Sequence, residues 1–316
     1  MMRLPKFEYH TPQTLAEAVR IMAAAGPEGQ FVAGGTDLYP NMKRRQQTPR
    51  TVISVGRLKE LHRVEGDGKS GVIIGAGVSL TDLVEHPVIN RDYPAVARAA
   101  RTISTPVLRN MGTVGGNLLL DTRCNYYDQN YEWRRGINFC LKKDGDVCWV
   151  APGSSKCWAV QSADLVPLMV AMGARVRLVS TVGDRMVTAK GLYNDDGIEY
   201  LHKRPEELLT EIHLPPVNST RAVYKKLRRR GAFDFPVLGV AARIDAEAGG
   251  EISEARVVLG GIAPAPLGEE TISAAAEVCY LRARPLDNTD HLMNYRKQMA
   301  RPFVLRALRE LVVSRQ

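Results

Sequence analysis

Apolar residues recur with helical spacing in three segments of the first two thirds of the chain, and short strand-like runs lie between them. The helices predicted in this way are Thr14–Ala25, Pro94–Ile103 and Ala163–Met172, and the strands are Gln30–Ala33, Thr51–Val55, Gly71–Val78, Arg175–Ser180 and Leu208–Leu214. The segment Val107–Leu120 is rich in β-branched residues and glycine, which predicts a strand-and-turn region. Because helices and strands alternate irregularly, the pattern favours an α+β fold over a simple doubly wound sheet.

The stretch 215–219, with two consecutive prolines, is the best candidate for a linker. After it, the pattern predicts strands at Ala222–Leu227, Val237–Asp245 and Ala255–Ile262, followed by helices at Ile272–Ala283 and Thr289–Val313. We therefore expect residues 1–217 to form one domain and residues 218–316 to form a second, smaller α+β domain.

Composition excludes several classes of protein. The chain has 316 residues, of which 45% are hydrophobic and 24% charged, so a packed core is expected and wholesale disorder is excluded. No apolar stretch is long enough to span a membrane, and no secretory signal is visible, so we expect a cytoplasmic protein. The net charge of +9 is spread along the chain without a basic stripe interleaved with aromatic residues. We therefore expect the positive charge to serve the binding of anionic cofactors, contact with partner subunits or solubility, and not the binding of nucleic acid.

Four of the five cysteines fall in one stretch without apolar periodicity, residues 121–158, which also holds all three tryptophans. The spacing of Cys124, Cys140, Cys148 and Cys157 is C-x15-C-x7-C-x8-C. Clustered cysteines in a cytosolic chain hold a metal more often than they form disulfides. The wide spacing favours an iron–sulfur cluster, while a zinc site and unliganded thiols stay open as alternatives. Cys279, far from the others, is interpreted as a small buried apolar residue.

Two glycine loops are candidates for holding a phosphate-containing ligand. One is A-G-G-T-D-L at 33–38 and the other is T-V-G-G-N at 113–117. Glycine lets backbone N–H groups approach phosphate closely, and two such loops point to a dinucleotide. No G-x-G-x-x-G or complete P-loop is present, and we identify no catalytic residues. The chain is therefore expected to carry electrons without converting a substrate itself.

At this point the sequence resembles a known family. The motifs VAGGTDL at 32–38, RNMGTVGGN at 109–117, SADLVPLMVAMGA at 162–174, ELLTEIHLP at 207–215 and LGGIAPAPL at 259–267 are similar to the FAD-binding medium subunits of molybdenum hydroxylases such as xanthine dehydrogenase. The resemblance implies the two-subdomain FAD-binding fold of the vanillyl-alcohol oxidase (PCMH) type. It also implies a C-terminal α+β domain like that of the carbon monoxide dehydrogenase flavoprotein.

Ordinary members of the family run directly from the GGN loop into the SADL helix, whereas this chain inserts residues 121–158 between them. The stretch TRCNYYDQNYEWRR, followed by CLKKDG, resembles the β subunits of 4-hydroxybenzoyl-CoA reductases, in which this loop binds a [4Fe-4S] cluster. The resemblance therefore implies two cofactors, FAD and a [4Fe-4S] cluster, the latter on the four cysteines.

The resemblance also implies which residues contact FAD. The implied contacts are Val32, Ala33, Gly34, Gly35, Thr36, Asp37, Leu38, Thr113, Gly116, Asn117, Asp164, Leu209 and Lys226. The first loop is expected to wrap the pyrophosphate. For three of the others an alternative stays open: Asp164 as a helix N-cap, Leu209 as ordinary strand core, and Lys225 in place of Lys226.

The family further implies partners. These are a molybdopterin-containing large subunit and a small subunit with two [2Fe-2S] clusters, assembled as a dimer of heterotrimers. For the 4-hydroxybenzoyl-CoA reductase type, a ferredoxin-like donor would supply electrons for removal of a phenolic hydroxyl. Two alternatives remain at this stage: the flavin subunit of a hydroxylase acting on an aldehyde or an N-heterocycle, and a non-enzymatic, zinc-stabilised binding module.

Overall fold

The structure is a computed structural model that describes residues 3–246, 252–269 and 275–313. Its N-terminal part is a small parallel sheet. The elements are β1 (Glu8–His10), α1 (Leu15–Ala25), β2 (Gly29–Val32), α2 (Leu38–Lys43) and β3 (Thr51–Ser54), with the strand order β1-β3-β2. The predicted helix α1 is confirmed, and Thr14 caps it by accepting a hydrogen bond from the Glu17 N–H at 3.1 Å.

The middle of the chain is a five-stranded antiparallel sheet with short helices packed against it. Its strands are β4 (Val64–Asp67), β5 (Gly71–Gly75), β6 (Arg175–Ser180), β7 (Gly183–Thr188) and β8 (Leu208–Leu214), in the order β4-β5-β8-β6-β7. The helices between β5 and β6 are α3 (Leu80–Glu85), α4 (Pro87–Asp92), α5 (Pro94–Arg101), α6 (Pro106–Arg109), α7 (Val114–Leu118), α8 (Tyr131–Gly136) and α9 (Leu165–Met172). The bounds predicted for β6 and β8 are confirmed.

The strand-and-turn region predicted at Val107–Leu120 is wrong, because the segment forms the short helices α6 and α7. Each helix begins at a capping threonine: Thr105 Oγ1 accepts from the Leu108 N–H, and Thr113 Oγ1 accepts from the Gly116 N–H. These side-chain caps outweigh the β-branched composition of the segment.

The C-terminal part is a four-stranded antiparallel sheet covered by two helices. Its elements are β9 (Thr220–Leu227), β10 (Leu238–Ala246), β11 (Ile252–Gly260), β12 (Leu267–Glu269), α10 (Ala275–Arg282) and α11 (Met293–Val313), and the strand order is β12-β11-β10-β9. The start predicted for α10, at Ile272, lies outside the described residues. The mixed α and β content expected from the sequence is confirmed.

The C-terminal sheet is buried on both faces. On β10, Val240 belongs to the core formed with α10 and α11, whereas its neighbour Ala241 belongs to the main core shared with α9 and the five-stranded sheet. The stretch 215–219 is fastened to the first part of the chain, since Tyr93 Oη donates to the Pro215 carbonyl at 2.8 Å and the Val217 N–H donates to the Gly68 carbonyl at 2.8 Å. A domain boundary at 217 stays a prediction. No helix in the described ranges is long and apolar enough to cross a membrane.

Candidate functional site

The first glycine loop connects β2 to α2 and presents backbone N–H groups. Within the described part of the chain, the N–H groups of residues 34 to 37 donate to no acceptor. Gly35 has a φ of +70°, a conformation that strongly favours glycine, and a Cβ at this position would lie 2.4 Å from the Tyr39 ring. A run of unbonded N–H groups at a loop that opens a helix is the arrangement that binds phosphate oxygens.

The second glycine loop lies against the first. A Cβ on Gly34 would come within 1.7 Å of the Met111 carbonyl oxygen, so the two backbones touch at this point. The second loop is fixed by main-chain bonds, because the Gly112 carbonyl accepts from the Leu80 N–H and the Gly115 N–H donates to the Ala76 carbonyl, each at 2.8 Å. The structure thus brings the two predicted glycine loops into contact.

Asn117 and Asp164, both predicted to contact FAD, lie next to each other. The Asn117 Oδ1 accepts from the Leu165 N–H at 3.2 Å, at the first turn of α9. Asp164 occupies the N-cap position of this helix, but its carboxylate makes no capping hydrogen bond. The alternative interpretation of Asp164 as a helix cap is therefore wrong for its side chain.

The Asp164 carboxylate instead forms a buried pair with Lys226 of β9. Lys226 Nζ donates to Oδ2 at 2.9 Å and to the Thr102 carbonyl at 3.0 Å, while Tyr224 Oη donates to Oδ1 at 2.8 Å. Burial raises the pKa of Asp164 and lowers that of Lys226, and the pairing of the two charges opposes both shifts. Lys225 points to the opposite side of the strand and pairs with Glu310. Lys226, and not Lys225, is thus the lysine that binds Asp164.

Leu209 lies in β8 and belongs to the main core. The next residue, Thr210, connects this strand to the second glycine loop, because its carbonyl accepts from the Ala76 N–H at 2.9 Å and the Ala76 carbonyl in turn binds the Gly115 N–H. Leu209 is therefore a core residue of the strand, and its contact with FAD stays a prediction.

Asp37, at the end of the first loop, has an unusual electrostatic environment. Burial and the nearby Asp121 carboxylate raise its pKa to about 6, while Asn41 Nδ2 donates to its Oδ2 at 2.9 Å. Because Asp121 begins the cysteine-containing insertion, the glycine loop and the insertion influence each other electrostatically.

The four cysteines of the insertion line one cavity. Cys124, Cys140, Cys148 and Cys157 are 5–7% exposed and line one small cavity together with seven other residues. In the described ranges, no three His, Cys, Asp or Glu side chains converge closely enough to hold a single metal ion. The thiols therefore enclose a space and do not meet at one point. Cys279 is separate: it is buried in α10 within the C-terminal core.

Burial makes two of the thiols in this cavity hard to ionise. It raises the pKa of Cys124 to about 12 and that of Cys157 to about 11, although the charge of Lys142 acts in the opposite direction on Cys157. Thiolates in such a place require a compensating cation, which a bound metal centre supplies.

The insertion is anchored to the segment that follows α2. Arg134 is completely buried, and its Nη2 donates to the carbonyls of Arg44 and Arg45 at 2.9 and 3.0 Å. Gln46 Nε2 donates to the Tyr127 carbonyl at 2.7 Å. Since α2 begins at the first glycine loop, the insertion and this loop share a supporting segment.

The insertion contains a buried ion pair that we did not predict from the sequence. Lys142 lines the cysteine cavity, and its Nζ donates to Asp121 Oδ1 at 2.8 Å, while Tyr127 Oη donates to Asp121 Oδ2 at 2.9 Å. Tyr224 was also missed. The two-residue alternation along β9 places it on the same face as Lys226 and would have indicated it.

Comparisons with known proteins show the family of the chain. Residues 5–217 match the family model for the FAD binding domain in molybdopterin dehydrogenases, and the chain belongs to this family. It is 32% identical over 283 residues to the aldehyde oxidoreductase FAD-binding subunit PaoB of Escherichia coli, with 85% of each chain covered. It is 28% identical over 319 residues to the carbon monoxide dehydrogenase medium chain of Hydrogenophaga pseudoflava, covering 96% of each.

Solved structures agree with the fold. The carbon monoxide dehydrogenase of Hydrogenophaga pseudoflava that lacks the Mo-pyranopterin moiety superposes with a TM-score of 0.77 at 26% identity, over 98% of both chains. The expected fold class is thereby confirmed. FAD binding by this subunit follows from the family, and the orphan N–H groups of the first loop fit that cofactor.

Proposed function

We propose that the chain is the FAD- and [4Fe-4S]-carrying electron-transfer subunit of a molybdenum enzyme of the 4-hydroxybenzoyl-CoA reductase type. The observation that carries the proposal is the convergence of four buried cysteines, from one inserted loop, on a single cavity. Membership of the FAD-binding family supplies the flavin part of the proposal.

For FAD, the residues of the chain supply binding and orientation. We assign the pyrophosphate to the N–H groups of the first loop, from Val32 to Leu38. Thr113, Gly116 and Asn117 of the second loop supply the other contacts of the cofactor in this proposal. The contacts of Asp164, Leu209 and Lys226 with the cofactor belong to the same proposal. FAD exchanges one or two electrons and an iron–sulfur cluster exchanges one, so the two together convert single-electron delivery into two-electron transfer.

For the cluster, each of the four cysteines would bind one iron. The wide spacing of the four cysteines along the sequence supports a cube more than a single zinc ion, which is usually held by short C-x2-4-C pairs. The cavity wall is largely aromatic and apolar, with Tyr126, Tyr127 and Trp149 among its residues, which limits access of water. Lys142 provides a buried positive charge that offsets the charge of the thiolates.

The assembly proposed for the chain includes a molybdopterin-containing large subunit and a small subunit with two [2Fe-2S] clusters, as a dimer of heterotrimers in the cytoplasm. A ferredoxin-like donor would deliver electrons at the insertion. The net reaction of the complex consumes two electrons and two protons, removes the phenolic hydroxyl of 4-hydroxybenzoyl-CoA as water, and leaves benzoyl-CoA. Substrate chemistry belongs to the large subunit.

A second candidate is the flavin subunit of an oxidising molybdenum hydroxylase. The 32% identity to a subunit named for aldehyde oxidation favours this candidate, with electrons leaving through the insertion instead of entering. Both candidates use the same two cofactor sites and differ in the partner subunit.

Cofactor content tests the subunit's role. The complex, purified without oxygen, should contain one FAD and about four iron atoms with matching sulfide in this chain, beyond the iron of the partner subunit. Cys140→Ser and Cys148→Ser should lose the iron of this chain while keeping most of the FAD, and Cys279→Ser is the matched control. Loss of FAD in proportion to iron would show that the loop is only structural.

Substrate tests distinguish the two candidates. The reductase predicts benzoyl-CoA formation from 4-hydroxybenzoyl-CoA with reduced ferredoxin or a reduced viologen dye. The oxidase predicts bleaching of the flavin band when an aromatic aldehyde is added without another donor. Bleaching by the aldehyde, with no benzoyl-CoA formed, would overturn the reductase assignment.

A further inference from the structure

Asn288, in the loop between α10 and α11, bonds to both ends of the cysteine insertion. The Asn125 N–H donates to the Asn288 carbonyl at 2.8 Å, and Asn288 Nδ2 donates to the Trp158 carbonyl at 2.7 Å. Asn125 directly follows Cys124, and Trp158 directly follows Cys157. One residue from a distant part of the chain thus holds the backbone beside two of the four thiols.

The two ends of the insertion also pair with each other. The Arg123 N–H donates to the Val160 carbonyl at 2.9 Å, and the Val160 N–H donates back to the Arg123 carbonyl at 2.8 Å. This bridge joins the residue before Cys124 to a residue three positions after Cys157. Asn288 adds a second connection, between the residue after Cys124 and the residue after Cys157.

Asn288 is itself held by a buried arginine of α11. Its side chain is 1% exposed, and its Oδ1 accepts from Arg296 Nη1 at 3.3 Å. Arg296 is completely buried and also donates to the carbonyls of Val237, Gly261 and Leu286. Arg296 therefore fixes the amide so that Nδ2, and not Oδ1, faces the Trp158 carbonyl.

We propose that Asn288, oriented by Arg296, is a positioning residue that sets the separation of Cys124 and Cys157 and thereby the binding of the iron–sulfur cluster. This inference rests on the proposed function of the insertion. The amide is suited to the task because it is donor and acceptor at once: the carbonyl groups of the insertion require a donor, and the guanidinium requires an acceptor. Cys140 and Cys148, in the interior of the insertion, do not adjoin residues bonded to Asn288.

The test uses the full chain in its complex, with the isosteric variant Asn288→Asp. The carboxylate keeps the acceptor for Arg296 but places an oxygen against the Trp158 carbonyl. Removing an outer hydrogen-bond partner of metal ligands lowers metal affinity by about 10- to 100-fold, so iron retention against a chelator should fall by about tenfold or more. The EPR spectrum of the remaining reduced cluster should change, while FAD content stays at the wild-type level.

The control is Asn90→Asp. Asn90 Nδ2 also donates to backbone carbonyls, those of Val84 and His86, but it lies on α4 and bonds no part of the insertion. A second variant, Asn288→Ala, removes the donor to Trp158 and the acceptor for Arg296 without adding a charge. It should show the same loss of iron in weaker form, and a cooperative unfolding transition separates this loss from failure to fold. Equal iron retention and an unchanged EPR spectrum in Asn288→Asp and Asn90→Asp would overturn the positioning role alone. A wild-type chain without iron and sulfide would overturn the proposed function together with it.

Discussion

Lys226 and Asp164 form an ion pair at 2.9 Å in which both side chains are excluded from water, at 2% and 4% exposure. The pair connects β9 of the C-terminal sheet to the N-terminus of α9, and Tyr224 completes the hydrogen bonding of the carboxylate. A buried carboxylate without its cation would face a large desolvation cost, so the two residues depend on each other.

Replacing Lys226 by Met should therefore destabilise the protein by about 3–5 kcal/mol, because it leaves Asp164 buried without its counter-charge. FAD content should fall as well if Lys226 is a flavin contact. The measurement is chemical unfolding followed by circular dichroism, with FAD per chain determined in parallel.

The matched control for Lys226 is its neighbour on the other face of β9. Lys225 pairs with Glu310, and both side chains are about one-third exposed. Lys225→Met should cost less than about 1 kcal/mol, since partly exposed pairs contribute little. Equal destabilisation by the two substitutions would contradict the importance of the buried pair.

The glycine loops offer a second prediction. Gly34→Ala places a methyl group 1.7 Å from the Met111 carbonyl oxygen, so one of the two loops must move. We expect FAD affinity to weaken by at least about tenfold, or about 1.4 kcal/mol, while the unfolding transition stays cooperative. Gly231→Ala is the control, because a Cβ there meets no atom within 4 Å. Equilibrium dialysis with FAD measures both, and unchanged affinity in Gly34→Ala would exclude the junction of the two glycine loops as the FAD site.

The longer elements of the fold could be predicted because their apolar periodicity decides them. The strand β6 alternates buried residues with more accessible ones, and β8 begins and ends with leucines directly before two prolines, so both were located correctly. The helix that contains Gly115 and Gly116 was not predicted, because a threonine cap and hydrogen bonds to the segment after β5 stabilise a helix of only five residues there. Very short elements such as β1 exist because of their sheet partners and carry little local signal.

The site was predictable where one stretch of sequence carries it, as in the two glycine loops and the four cysteines. Partners that come from distant segments were not. Lys142 and Asp121 are 21 residues apart, and Asn288 is 130 residues from Trp158. Nothing local in the sequence distinguishes these residues from ordinary surface polar groups, because their role follows from burial in the folded chain.

The pKa of Asp37 leads to a prediction on pH dependence. Burial and Asp121 raise this pKa from 3.8 to about 6, so between these values the folded chain binds more protons than the unfolded chain. The free energy of unfolding of the FAD-free protein should therefore fall as pH rises through about 6. Asp37→Asn should remove this contribution and be more stable than the wild type at pH 8, by on the order of 1 kcal/mol, but not at pH 4. Thermal melts across this pH range measure the effect. The control is the exposed Asp146→Asn, which should show the wild-type dependence of stability on pH. If the stability of Asp37→Asn followed pH in parallel with the wild type, the prediction would be contradicted.

Lys142 should tune the reduction potential of the proposed cluster. Its side chain is 7% exposed, lines the cysteine cavity, and donates to Asp121, to Thr122 Oγ1 and to the Gly197 carbonyl. A buried positive charge stabilises the reduced cluster, which carries one more electron than the oxidised cluster. Lys142→Met should therefore lower the midpoint potential by tens of millivolts, since about 59 mV corresponds to 1.4 kcal/mol for a one-electron couple.

The Lys142 variant also leaves the Asp121 carboxylate buried without its cation, which adds to the fall in potential. The double variant Asp121→Asn with Lys142→Met removes both charges and should recover part of the wild-type potential, whereas any change due to general loosening of the loop would persist or grow. Lys143→Met is the control, because Lys143 is about one-third exposed and pairs with the exposed Asp144. Anaerobic redox titration monitored by EPR, on samples with equal iron content, measures all four proteins. A wild-type midpoint potential in Lys142→Met would show that the Lys142 charge does not act on the cluster. A midpoint potential of the double variant below that of Lys142→Met would show that the change comes from the conformation of the loop and not from the charge.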